Sequence, residues 1–94
     1  MSIEKKIMEI VKTYGEDDSV GKILHAPDNL FMRKSGRKWY LLYIGVYKQE
    51  RTNEETLQFY MVEDETEHTY FFSWSDLREE LKVNITHWID SFNK

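Results

Sequence analysis

Ninety-four residues with no cysteine and a net charge of −4 suffice for one hydrophobic core and exclude disulfides, thiolate metal sites and a cysteine nucleophile. Aromatic residues make up 15% of the chain and charged residues 32%; the charges separate dense apolar runs, which speaks against disorder. The mildly acidic balance argues against nonspecific nucleic-acid binding as the main activity.

The charge is uneven. Residues 1–38 carry eight Lys/Arg against six Asp/Glu, and residues 39–94 carry five against eleven. No run reaches the length of a bilayer span, and the charged start, Met1-Ser2-Ile3-Glu4-Lys5-Lys6-Ile7, has no apolar signal core. A cytoplasmic protein without membrane association is the expectation, folded as a single domain over residues 1–94.

Ser2 is placed to cap a helix, and Ile3, Ile7, Ile10, Val11 and Tyr14 recur at helical spacing up to Gly15, where a left-handed terminating residue is expected. The spacing predicts a helix over 3–14. Residues 16–19 are polar and read as a loop. Residues 20–26 read as a short strand, with Gly21 weakening it or marking a bulge. Pro27-Asp28-Asn29 is a turn signal, which makes 30–33 the return strand. Ser35-Gly36 is a second tight turn leading into the long strand 39–48.

That strand is apolar in both alternating sets: Trp39, Leu41, Tyr43 and Tyr47 in one, Tyr40, Leu42, Ile44 and Val46 in the other. Such a strand belongs in the middle of a sheet, and the expectation is cover on both faces, or an oligomer using the second. Residues 49–55 form a polar loop. Residues 56–62 alternate, with Leu57, Phe59 and Met61 on one face and Thr56, Gln58 and Tyr60 on the other. An acidic turn, 63–67, joins them to 68–74, so the two runs predict an antiparallel hairpin. Ser75 caps the last helix, whose stripe runs Leu77, Leu81, Ile85, Trp88, Ile89 and Phe92. One helix is expected, with the β-branched residues in 83–86 leaving a kink or a break there as the alternative. The predicted class is α+β: an N-terminal helix, a meander-like antiparallel sheet of about four or five strands, and a C-terminal helix packed on the sheet.

Arg33, Lys34, Arg37 and Lys38 surround the Ser35-Gly36 turn and run into Trp39 and Tyr40. Cations beside rings suit phosphates and stacked bases; a solubilising hairpin tip is the simpler account, given the negative total. Glu54 and Glu55 lie in one acidic loop, and Glu63, Asp64, Glu65 and Glu67 in another. Either presents negative charge to a basic partner or is a solvated turn; neither has the spaced ligands and turn glycine of a calcium loop. His25, His68 and His87 fall in different elements, and nothing places two ligands at i, i+4 spacing, so no metal is expected. The glycines are isolated and no serine sits in a nucleophile turn, so neither cofactor nor catalytic residue is assigned.

The leading expectation is a non-enzymatic binding module of adaptor or inhibitor type. It would act through a protein–protein interface that combines exposed aromatics with acidic loops: Tyr60 with Glu54, Glu55, Glu63, Asp64, Glu65 and Glu67, facing a basic protein. The alternative is a nucleic-acid-binding domain using Arg33, Lys34, Arg37 and Lys38. Monomer and homodimer both stay open. The basic turn and the loop 49–55 leave the long strand at opposite ends, roughly 30 Å apart at ~3.3 Å per residue, so one contact surface does not use both.

Overall fold

The structure is a computed structural model that describes residues 2–19 and 21–93. In chain order the elements are α1 (Ile3–Tyr14), β1 (Glu16–Asp18), β2 (Gly21–His25), β3 (Phe31–Lys34), β4 (Arg37–Lys48), β5 (Glu55–Glu63), β6 (Thr69–Phe72) and α2 (Glu79–Asp90), with single 3-10 turns at Trp74–Asp76 and Ser91–Asn93. The fold is α+β, as its patterning predicts. One antiparallel sheet has the order β1-β2-β4-β5-β6, and β3 also pairs with β4. Val20, where the sequence places the start of the strand 20–26, lies outside the described residues.

Helix α1 begins where Ser2 accepts a hydrogen bond from the Lys5 N–H at 3.2 Å. It ends as the Gly15 N–H donates to the Val11 carbonyl at 2.8 Å. Gly15 does this in an extended conformation, φ −77°, and not in the left-handed one expected of it. The acidic segment after it is a strand and not a loop: β1 pairs with β2 through Glu16↔Ile23 and Asp17↔Lys22. Nothing in its composition announces a strand, but charged residues are what a sheet edge tolerates best.

The segment 30–33 is not a return strand. β2 pairs with residues 43–47 of β4 and β3 with residues 37–40, along the same edge and in the same direction. The Ala26 N–H donates to the Leu42 carbonyl and the Leu41 N–H to the Leu30 carbonyl, both at 2.9 Å, carrying the ladder across the gap. Pro27-Asp28-Asn29 is therefore an excursion from one long strand line. Pro27 has no N–H to contribute to a ladder, and looping outward lets the pairing resume beyond it. The reversal comes at Ser35 and Gly36, with φ +55° and +74°, the two left-handed positions of a tight hairpin turn.

The decisive irregularity is in β4. Its register against β5 slips between Leu41 and Tyr43, leaving Leu42 as the extra residue of a β-bulge. Strict alternation would put Tyr43 and Tyr47 on the face of Trp39 and Leu41. The bulge inverts the order after Leu41. Leu41, Ile44 and Val46 stand opposite Met61, Phe59 and Leu57, while Tyr40, Tyr43 and Tyr47 stand opposite Val62, Tyr60 and Thr56. Aliphatic residues collect on one face and tyrosines on the other.

The aliphatic face forms the core. Ile7 and Val11 of α1 and Leu81, Ile85 and Ile89 of α2 are fully buried with Met32, Ile44, Phe59 and Met61 of the sheet. Both helices therefore cover the same face. Ser75 does not cap α2: it sits in the 3-10 turn, where the Ser73 hydroxyl contacts both Ser75 and Asp76, and α2 starts only at Glu79. The helix is unbroken through 83–86. Ile85 is fully buried and the Thr86 hydroxyl donates to the Lys82 carbonyl at 2.8 Å, so packing outweighs the weak local propensity.

Candidate interaction face

Cover on both faces is not what forms; among the described residues no element packs over the tyrosine face. On β4 and β5, Tyr43 and Tyr60 are cross-strand partners, and their rings stack with centroids 4.7 Å apart. Phe71 of β6 pairs with Tyr60, extends the stack at 4.7 Å, and is 41% exposed despite its size. Phe31 and Tyr40, partners across β3 and β4, lie 5.7 Å apart. His25 meets the edge of Tyr43 at 6.0 Å.

Tyr47 completes the face by lying over Gly45. A Cβ on Gly45 would come within 2.5 Å of the Tyr47 ring, so only glycine leaves room for the ring to lie along the sheet. Burial, and then the hydroxyl of Tyr43 beside it, push the Tyr47 phenol well above the usual tyrosine range. It stays a neutral donor at any physiological pH. Between Tyr43, Tyr47 and Phe71 the surface dips into a shallow depression of about 420 Å³, rimmed by Asp18, Thr56 and Gln58.

The two ends of this face differ in charge. At one end Arg33 and Lys38 are cross-strand partners, and the Lys38 ammonium sits 4.4 Å from the Phe31 ring centre and 4.9 Å from that of Tyr40, within cation–π range. At the other end are Glu16 and Asp18 of β1, the partners of Ile23 and Gly21; the Glu16 carboxylate is 3.8 Å from His25 Nε2.

The residues singled out from the sequence are distributed differently. Lys34 donates to the Asp76 carbonyl at 2.7 Å and lies over the Phe72 ring at 5.4 Å, on the helix side. Arg37 pairs with Glu63. Glu63 is 2% exposed and is an internal brace: its carboxylate accepts from Arg37 and from the N–H groups of Glu65 and Thr66. The Thr66 N–H above all, with Arg37 and the Glu65 N–H, holds this carboxyl below the usual carboxylate range although burial opposes it. Asp64, Glu65 and Glu67 are exposed at the same turn, and the Asp64 N–H donates to the Lys38 carbonyl at 2.9 Å. The basic turn and the second acidic turn are thus neighbours that partly cancel each other's charge, with Arg33, Arg37, Lys38, Glu63, Asp64 and Glu65 around one small cavity.

Glu54 is exposed at the far end of β5, and Glu55 is paired with Lys12 of α1 at 3.0 Å. The nine residues of β5 span about 26 Å at ~3.3 Å per residue, so the two acidic groups form no continuous patch. Of the residues expected at a protein interface, Tyr60 alone lies on the open face. Phe31, Tyr40, Tyr43, Tyr47 and Phe71 join it there. Their signal in the sequence is the outward set of β5, where Tyr60 follows Gln58 and Thr56 on a strand whose other set is apolar from Leu57 to Met61. Among the described residues, no three His, Cys, Asp or Glu side chains gather to hold a metal, and no helix is long and apolar enough to cross a membrane.

No protein-family profile, curated protein or solved structure matches this chain.

Proposed function

We propose that this protein is a small non-enzymatic binding module that docks a protein partner on the open tyrosine face of its sheet, the contact running through Tyr43, Tyr60 and Phe71. The observation that carries this reading is the continuous set of rings on a face that, among the described residues, no other element covers. Tyrosine and phenylalanine supply large contact area for few rotatable bonds, and the phenols add hydrogen bonds at the rim. Rings that already stack on one another lose little further freedom on binding. A cytoplasmic setting fits a chain that uses no cysteine. The test is affinity capture with the wild type, with Phe71→Arg, and with the triple reversal Asp64→Lys, Glu65→Lys, Glu67→Lys. Partners lost with Phe71→Arg and kept by the triple reversal support the face; partners kept by Phe71→Arg overturn it.

A second reading, a single-stranded nucleic acid laid along the rings, is favoured by Lys38 over Phe31 and Tyr40 with Arg33 alongside. It competes with Glu16 and Asp18, which repel a phosphate chain at the other end of the same face. It predicts affinity for an oligonucleotide that falls steeply with salt and disappears in the double variant Arg33→Glu, Lys38→Glu.

A further inference from the structure

We infer that the partner which seats on this face is a second copy of this chain, the two sheets stacked about a two-fold axis that runs between them and across the strands. The inference rests on the docking reading above and names its occupant. The face is self-complementary along the strands. β3 continues the line of β2 beside β4, and Arg33 lies at the end of that line next to the Ser35-Gly36 turn. Glu16 and Asp18 lie one strand further out, at the opposite end. Rotation about an axis perpendicular to the strands exchanges the two ends and keeps the order of strands from side to side. It therefore brings Arg33 of each copy over the Gly21–Ile23 stretch of the other, one strand from the Glu16 and Asp18 that pair with it, twice per dimer, with the tyrosine stack in the centre.

The size fits as well. Five strands at ~4.8 Å spacing, centred on the twelve-residue β4, present on the order of 700 Å², compared with ~800 Å² per partner for a stable interface. Two sheets whose inner faces carry side chains of this kind stack in aligned fashion, about 30° apart. The ring of Tyr47 lies flat along the sheet over Gly45, which is what close approach of a second sheet needs. A nucleic acid would leave Glu16 and Asp18 unanswered; a second copy sets them beside Arg33.

The experiment is sedimentation equilibrium on three proteins: the wild type, Arg33→Glu, and the double variant Glu16→Arg, Asp18→Arg. The wild type is expected to dimerise, and each variant to dimerise on the order of tenfold more weakly or worse, because each reversal places like charges together at both symmetric contacts. Mixing the two variants is expected to restore a heterodimer, since every contact then pairs opposite charges. That gain cannot come from misfolding. Wild type that stays monomeric at high micromolar concentration overturns self-pairing; if Phe71→Arg still abolishes capture of another protein, the docking reading survives it. A dimer indifferent to the charge reversals overturns self-pairing through this face, and if Phe71→Arg also leaves capture of other proteins intact, the docking reading falls with it. A monomer that binds a fluorescent oligothymidine through Arg33 and Lys38 also overturns self-pairing, in favour of the nucleic-acid reading.

Discussion

Glu63 ties two turns together from the inside. It accepts from Arg37 after the Ser35-Gly36 turn and from two N–H groups of the turn that follows β5. Its depressed pKa makes this a pH-dependent brace. The folded state binds the proton less readily than the unfolded chain, so the stabilisation is fully present above about pH 5 and is lost as the pH falls through the folded-state value. Glu63→Gln removes the charge at every pH. The urea midpoint of the wild type is expected to exceed that of the variant at neutral pH, and the gap to close on acidification. A gap independent of pH would mean that the ionised carboxylate contributes nothing. Four other acidic residues of the two loops, Glu54, Asp64, Glu65 and Glu67, are exposed, and their single substitutions to Gln or Asn are expected to leave the midpoint almost unchanged.

At the scale of the element, the bulge in β4 decides what each face of the sheet is for. Removing one residue from a bulge restores plain alternation without turning the flanking residues over. Deleting Leu42 is therefore expected to leave Leu41, Ile44 and Val46 inward and Tyr40, Tyr43 and Tyr47 outward. The loss is the Ala26–Leu42 hydrogen bond, worth about 1 kcal/mol. A folded variant with a modestly lower urea midpoint and preserved aromatic amide shifts would bear this out; an unfolded chain would show that the bulge also sets the line of β2 and β3. The same bulge explains what could be read in advance and what could not. Helix α1 and strand β5 keep one period throughout, so their buried residues are legible from spacing alone. The long strand changes phase at Leu41, which no count of alternation reveals when every residue on both sides is apolar. The aromatic face was hidden for that reason. β1 was hidden because Glu16-Asp17-Asp18 has no strand propensity and is held by β2 alone, and Glu63 because the burial of an acidic turn residue depends on Arg37, distant in sequence.

At the scale of the molecule, the two helices divide the labour between the faces. The covered face holds the fold and the open face is free to be spent on contact. Ile85 is fully buried among residues of both helices and the sheet, so Ile85→Ala removes three carbons and leaves a cavity, at a cost of about 2–4 kcal/mol. Phe71 packs on Tyr60 and Tyr47 at 4.7 and 6.1 Å, but with 41% of its surface exposed it has much less apolar area to lose. Phe71→Ser is expected to cost about 1 kcal/mol or less in the monomer. The comparison is made by urea titration at a protein concentration where the wild type is monomeric, because association would add its own stabilisation to the wild type and not to the variant. If Phe71→Ser were as damaging as Ile85→Ala, the open face would be a second core and would have no residues to spare for a partner. A small loss, growing as the wild-type concentration is raised, is the signature of a surface whose rings are kept for something outside the monomer.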